Sequence, residues 1–529
     1  MKMNSPEFKK QLYQQLPVVY RNRDNGDLEK YLGACGEFLD RIFETIAARM
    51  ADNFPDSPID DPSIDQDVPV CQDWILPYFA NVLDVSLRSP VADGKRDEIA
   101  NAVSWRKKKG TLSVIEEIAE SVGQMEVEVQ EGWKRVAVTP VIGRPLLPAD
   151  TFGYDGQPNE GCASMCAIHP DLPAVTVDFR SPSGATGADI LNPGVKYTMV
   201  NGEMKTWRQA SVHGVPCLPG SFDDVSRRTV DLSISETKKG YYHPGRLLLF
   251  TPPSTGFFPE NAIGLNWTSM GSDSFNLYIE TMIDEDKRII TYQNRSFGQS
   301  DFRQVKIYRV IELGETCSGS SEDRYTYRFI GLHLDNTVIV HSGRIEFIKC
   351  AVRKIEIHSI DRNTPVLSAR STLFKKIAAA RGLVFLEYCT VLEKCLSEVI
   401  QASDTIFLDD IHKDHDNPAP PEVGCVRYSY VSEHQPGKDD GVFSGPVFDG
   451  PVVMFTTIFG EPGCAVLLPE SSRNITQGAE EGGEIGAYHD DYLSARYEAV
   501  TEKLKDYLPL NLETEIITDT NLLDIPSGS

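Results

Sequence analysis

The sequence has a deficit of positive charge, no long apolar run and no close cysteine spacing, and each lack removes a class of function. Lys and Arg number 52 against 77 Asp and Glu, for a formal net charge of −25. Nucleic acid and anionic membranes would repel such a surface, which excludes both as the principal partner. No stretch of about 18 consecutive apolar residues occurs, so the sequence offers no membrane-spanning helix. The stretch MKMNSPEFKKQLYQQLP lacks the apolar centre of an export signal, which makes the cytoplasm the expected location. In that reducing compartment the 11 cysteines, odd in number and scattered, are expected as thiols.

Signatures of chemistry are missing as well. There is no Gly-x-Ser-x-Gly elbow, no His-Glu-x-x-His and no dinucleotide fingerprint. The stretch Gly478–Gly486 has the glycines of a phosphate cradle but no Gly-Lys-Ser/Thr ending. Its three glutamates would repel phosphate, so it reads as a flexible turn. Cys162, Cys166 and His169 could supply three zinc ligands, with His213 or Cys217 a distant fourth. Structural zinc sites want four ligands in two tight pairs, so ordinary thiols are the simpler reading. Asp409, Asp410 and His412 could bind calcium or do acid–base work on a polysaccharide, but an acidic solvated corner accounts for them. The expectation is a protein with no catalytic residue, no cofactor and no metal.

What is present is a large folded chain. Its 529 residues exceed one ordinary core, and 41% hydrophobic with 24% charged residues describes folded, not disordered, protein. From Glu470 onward 13 acidic residues face 4 basic ones, which reads as a solvated surface or a docking face for a basic partner. The first ~130 residues carry helical periodicity. Leu28, Leu32, Cys35, Leu39, Ile42 and Ile46 follow one another by 4, 3, 4, 3 and 4 positions, the seam of a helix that packs along another helix. A second helix is predicted near Cys71 to Val85, a third from Gly94 to Ser104, and a fourth carrying Val114, Ile115, Ile118, Ala119 and Val122. Between the last two, Arg106-Lys107-Lys108-Lys109-Gly110-Thr111 forms a basic knuckle in which Gly110 ends one helix and Thr111 can cap the next.

From Met125 the period changes to that of strands. Pieces at Ala174–Phe179 and Arg246–Phe250 flank a loop-rich stretch. Further on, Val366–Phe374 resembles Val399–Phe407 at an offset of 33 residues, with Cys389-Thr390-Val391 aligned to Ser371-Thr372-Leu373 and to Asp404-Thr405-Ile406, and Cys350-Ala351-Val352 as an earlier copy. Short β-prone repeats with polar corners predict the rungs of a parallel β-helix. Strands near Cys425–Tyr430 and Val452–Ile458, a helix at 488–507 and a final strand in LETEIIT complete the prediction.

The N-terminal residues also resemble a known family. Leu16-Pro17, Tyr20-Arg21, Leu28, Tyr31-Leu32, Trp74 to Ala80 (WILPYFA), Lys95-Arg96 with Ile99, and the Lys109-Gly110-Thr111 turn come in the order found in the phage tail protein I family, over about residues 15–130. The segments Glu387–Val391, Gln401–Asp404, Gly424–Ser429 and Gly478–His489 are similar to large tail proteins of bacterial contractile injection systems. The resemblance implies a structural baseplate wedge subunit that joins a second wedge protein through a helical bundle and builds a sixfold ring around the spike, at the base of sheath and tube. It implies as partners other wedge proteins, neighbouring copies, and sheath, spike or tail fibre proteins, in a phage-tail-like particle. Simple family members are far shorter, so residues beyond ~130 are an elaboration.

The expected fold is α+β and multi-domain. A helical wedge domain (1–130) precedes a β-rich domain (131–330), a parallel β-helix (331–412) and a C-terminal β/loop segment (413–529). The expected interface residues are Leu28, Leu32, Leu39, Ile42, Ile46, Trp74, Phe79, Lys107, Lys109 and Thr111. Two rivals stand beside this reading, a β-helix enzyme acting on polysaccharide and a receptor-binding fibre or spike.

Overall fold

The computed structural model describes residues 8–55, 71–131, 195–200, 203–208 and 245–518, the last interrupted at 252–253, 260–261, 299–301, 315–324, 414–418, 439–440, 444 and 469–470. The candidate zinc ligands between Cys162 and Cys217 and the strand expected at Ala174–Phe179 lie outside the described residues. The chain is a mixture of helix and strand in two units, Met1–Gln124 and Met125–Ser529.

The first unit is helical. α1 (Phe8–Gln14) and α2 (Val18–Arg21) precede the long α3 (Asp27–Ala51). Ahead of α3, the Asp24 carboxylate accepts from the backbone N–H of Leu28 and of Glu29, both at 3.0 Å. It thereby satisfies two donors that a helix start otherwise leaves open. α4 (Leu76–Val82) follows a short 3₁₀ turn at Asp73–Ile75, shorter than the Cys71–Val85 helix expected, with Pro77 in its first turn where a missing N–H does no harm. α5 (Ala92–Lys107) and α6 (Leu112–Gly123) pair through Val114, Ile115, Ile118, Ala119, Val122, Ala102 and Trp105, all buried.

The second unit is β-rich. β1 (Glu128–Glu131) pairs antiparallel with β4 (Arg246–Thr251), and β2 (Val195–Val200) with β3 (Glu203–Arg208). Then come β5 (Ile263–Asn266), helix α7 (Asp273–Tyr278), β6 (Ile279–Asp284), β7 (Ile289–Asn294), β8 (Val305–Tyr308) and β9 (Ile311–Leu313). A run of nearly continuous strand follows: β10 (Thr326–Ile330), β11 (Leu332–Val340), β12 (Arg344–Ile348), β13 (Ala351–Ile357), β14 (Pro365–Arg370) and β15 (Leu373–Glu387). Shorter strands end it: β16 (Thr390–Val391), β17 (Cys395–Ser403), β18 (Ile406–Phe407), β19 (Ile411–His412), β20 (Val423–Arg427), β21 (Ser429–Tyr430) and β22 (Val447–Phe448).

Apart from the β6–β7 pair, the ladders from β5 to β22 are parallel and fall into three stacks. One inward column passes through Tyr292, Phe329, Phe347, Ala369, Leu386, Ala402 and Val426. A second passes through Leu265, Ile307, Leu334, Val352, Phe374, Val391 and Phe407. A third passes through Ile311, Val338, Ile355, Ile377, Cys395 and Ile411. These columns meet in one core, where each turn buries its apolar side chains against those of the turns on either side. The 33-residue repeat is two turns of that stack, because Leu367 pairs with Val384 and Val384 with Ile400.

The register within the repeat corrects the sequence alignment by one residue. Thr390 pairs with Leu373 and with Ile406, so Cys389 stands level with Thr372 and Thr405, not with Ser371 and Asp404. Backbone shape explains it. Gly331, Lys349, Ser371, Tyr388, Asp404 and Tyr428 all have φ between 47° and 65°, a left-handed corner taken once per turn. The residues that follow the five non-glycine corners, Cys350, Thr372, Cys389, Thr405 and Ser429, turn inward and are fully buried. There the Thr405 hydroxyl accepts from Cys389 N–H at 3.4 Å and the Ser429 hydroxyl from Thr405 N–H at 3.1 Å.

After β22 the chain returns along the outer side of the second stack. Val452–Ile458 forms no strand there, only isolated bridges Met454–Leu467 and Thr456–Cys464. Ala351, Leu373 and Ile406 point outward into a second core with Phe257, Phe258, Phe455, Phe459, Leu467 and Tyr488. α8 (Arg473–Thr476), α9 (Leu493–Lys505) and β23 (Glu513–Thr518) follow, β23 pairing parallel with β4.

Candidate functional site

The apolar residues of α3 cover about half of its circumference, and only part of that arc is used inside the chain. α1 packs on α3, with the Phe8 and Phe43 rings edge to face at 6.3 Å and Phe8 N–H donating to Asp40 Oδ1 at 3.0 Å. Leu28 and Leu32 are half-buried, and Gly33 and Gly36 are buried. The remaining arc is open to solvent: Tyr31 is 67% exposed, Phe38 66%, Ile42 41% and Ile46 51%, with Leu39 and Met50 beside them. Tyr31, Ala34, Cys35, Phe38 and Leu39 line a shallow groove of about 490 Å³.

α4 extends this surface. Trp74, Tyr78 and Val82, four residues apart, are all more than half exposed. The Asp52 carboxylate accepts from Gln72 N–H at 3.1 Å and pairs with Arg49 at 3.2 Å, tying the end of α3 to the turn that carries Trp74. The Arg49 guanidinium lies 5.8 Å from the Trp74 ring centroid. Phe79 faces the other way and packs on the cluster of Cys71, Leu76, Ala80 and Ile99. An exposed apolar stripe this long is unusual on a folded protein's surface.

A buried polar frame holds the α4 side of this surface in place. Arg96, 4% exposed, donates to Asp73 at 2.6 Å and to the Cys71 carbonyl, which fixes the entry to α4 against α5. Glu98 accepts from Ser89 N–H at 2.7 Å and Arg88 N–H at 2.9 Å, and the Ser89 hydroxyl donates to the Val122 carbonyl. A Cβ at position 94 would come within 2.1 Å of Ser89 Oγ, so only glycine fits there.

At the basic knuckle Gly110 has φ +87°, a conformation glycine takes without steric cost. Thr111 stands at the start of α6, but its hydroxyl does not cap that helix; it donates to the Lys108 carbonyl at 2.9 Å and closes the turn from the other side. Lys108 pairs with Glu117 at 2.8 Å, whereas Lys107 and Lys109 make no ion pair among the described residues.

The structure brings Leu39, Ile42, Ile46 and Trp74 onto one exposed surface, leaves Leu28, Leu32 and Phe79 half-buried, and leaves Lys107, Lys109 and Thr111 exposed at the knuckle. Sequence reasoning missed Tyr31, Phe38, Met50, Tyr78 and Val82. The signal was present, since Tyr31 and Phe38, seven residues apart, each stand one position before a seam residue, Leu32 and Leu39.

The other candidates have different surroundings. His412 is buried and its Nδ1, like Asp410 Oδ1, has no hydrogen-bond partner; among the described residues no three His, Cys, Asp or Glu side chains converge as a metal site. Burial pushes the Cys350, Cys389 and Cys395 thiols up to about 12, so they stay protonated and act as core atoms. The Gly478–Gly486 stretch is a turn, with Glu480, Glu481 and Gly482 exposed, but its end is packed, with Glu484, Ile485 and Gly486 buried.

No curated protein and no solved structure matches this chain. About a fifth of it, residues 38–147, matches the family model described as Phage tail protein (Tail_P2_I), and over that segment the chain is phage tail protein I-like.

Proposed function

We propose that this chain is a structural baseplate wedge subunit of a contractile injection system. In this reading it joins a second wedge protein through the exposed surface of α3 and α4 and takes its place in a sixfold ring around the spike, at the base of sheath and tube. The observation that carries the reading is the apolar stripe from Tyr31 to Met50, continued by Trp74, Tyr78 and Val82, largely within a segment that matches a phage tail protein family. A helix with an unpaired heptad face fits a partner's helices laid alongside it. Lys107, Lys109 and Thr111 then form a second, polar contact with a neighbouring subunit.

The three parallel stacks are read as a parallel β-helix, whose rigidity suits a spacer or platform for neighbouring wedges, sheath, spike or tail fibre proteins. The division into a wedge domain (1–130), a β-rich domain (131–330), the β-helix (331–412) and a C-terminal segment (413–529) belongs to the same proposal. The absence of a catalytic role is part of it too.

Cryo-electron microscopy of gradient-purified particles, with mass spectrometry of the same fraction, tests this. The expected result is co-purification with sheath and tube proteins and six or twelve copies in a ring at the tail end. Sets of three copies would favour a fibre or spike. A free monomer with activity on polysaccharide would favour the enzyme.

A further inference from the structure

Residues 478–492 take a course that a Gly/Glu-rich loop has no need to take. They run down the left-handed corner of the stack and touch it at turn after turn. Glu480 N–H donates to Asp404 Oδ1 at 2.7 Å, and Gly486 N–H to the Asp404 carbonyl at 2.9 Å. Ala487 N–H donates to Thr390 Oγ1 at 3.0 Å, and the His489 ring stacks on Tyr388 with centroids 4.0 Å apart. Ser371 Oγ donates to Asp490 at 2.7 Å, and Lys349 Nζ pairs with Asp491 at 2.8 Å. Lys349, Ser371, Tyr388 and Asp404 are four successive corner residues held at positive φ, and all four grip this one segment.

Inside the segment Glu484 is 3% exposed. Its carboxylate accepts from Ser494 N–H at 2.9 Å and forms no ion pair among the described residues. The groups that face it are Asp491 and Tyr488 on its own segment and Arg496 on α9, while His489 Nδ1 lies 2.8 Å from its backbone carbonyl oxygen. On the side of the stack, Lys349 is engaged by Asp491 and Arg427 by Glu480.

We propose that residues 478–492 are a pH-sensitive strap, closed on the corner while Glu484 is protonated and loosened when Glu484 ionises. Burial, opposed by the Ser494 hydrogen bond and helped by Asp491, pushes the Glu484 carboxyl up to about 7. A pKa raised in the closed state makes the hold full below the ordinary carboxylate range and lost as pH rises through about 7. In the open strap the side chain meets water and titrates normally. The ratio of open to closed strap should therefore rise about tenfold between pH 6 and pH 8.5.

Hydrogen–deuterium exchange on the full chain, corrected for intrinsic amide chemistry, reads this directly. The amides of Gly486 and Ala487 should open about tenfold more at pH 8.5 than at pH 6, while that of Ile377 inside the stack does not change. Glu484→Gln should remove the pH dependence and leave the strap closed at both values. Strap amides with no pH response, or a response that survives in Glu484→Gln, would overturn the proposal. Should that variant not fold, Lys349→Ala with Ser371→Ala removes two grips of the corner on the strap, one part-exposed and one a buried hydroxyl. It should raise strap opening at pH 6 and keep the tenfold ratio, and a strap indifferent to both losses would sink the idea equally.

Discussion

Phe347 shows how a single side chain supports this fold. It is fully buried, with Phe329 and Phe374 rings at 5.6 and 5.7 Å, so it bridges two of the three inward columns. Phe347→Ala leaves a cavity that neighbours on adjacent turns cannot fill without breaking their own ladders. The expected cost is about 3–5 kcal/mol, read as a lower urea midpoint at unchanged slope. Asp335 acts by charge instead. Burial favours its neutral form, but His333, Arg353 and Lys306 outweigh burial and hold its carboxyl well below the usual range. Arg353 and Lys306 sit 2.6 and 2.9 Å away. A depressed folded pKa contributes stability above the unfolded value and loses it as pH falls. Asp335→Asn should therefore be clearly less stable than the parent at pH 7. The gap in thermal midpoint should narrow as pH drops below about 4, and a gap constant with pH would mean the carboxylate is not the source.

At the scale of elements, legibility in the sequence followed periodicity. α3 was readable because its heptads recur from Leu28 to Ile46, and the 33-residue repeat because two turns of a stack reproduce their inward side chains. The one-residue register error arose where the corner interrupts alternation, since a left-handed residue such as Tyr388 shifts the inward face by one position. The strands from Ile263 to Leu313 were hidden by their shortness, at three to six residues. The strap was hidden for another reason, because glycines and glutamates signal a solvated turn and the burial of Glu484 and Gly486 comes only with the fold around them. Which half of the α3 arc is free depends on α1, a short helix with no strong pattern of its own. That half yields the sharpest test. Phe38→Glu with Ile42→Glu alters two exposed side chains, so the folded protein should keep its stability within about 0.5 kcal/mol per site. Binding to the proposed wedge partner in pull-down or calorimetry should be lost. Retained binding would place the interface elsewhere.

For the whole molecule the charge sets the remaining question. A chain of net charge −25 repels its own copies, and the proposed ring would gather that charge around one axis. The proposed contacts through Tyr31, Phe38, Ile42 and Trp74 would be apolar and respond little to ionic strength. Repulsion between copies falls once the screening length drops below their spacing, about 10 Å at 0.1 M salt. Assembly of the purified chain with its partner should thus strengthen from low salt to physiological salt, followed by light scattering or sedimentation. The opposite trend, complexes that dissolve as salt rises, would mean that attraction between the Arg106–Lys109 knuckle and acidic surface outweighs repulsion. In that case Lys107→Glu with Lys109→Glu should abolish assembly and Phe38→Glu should spare it, so the two contacts can be ranked by the same experiment.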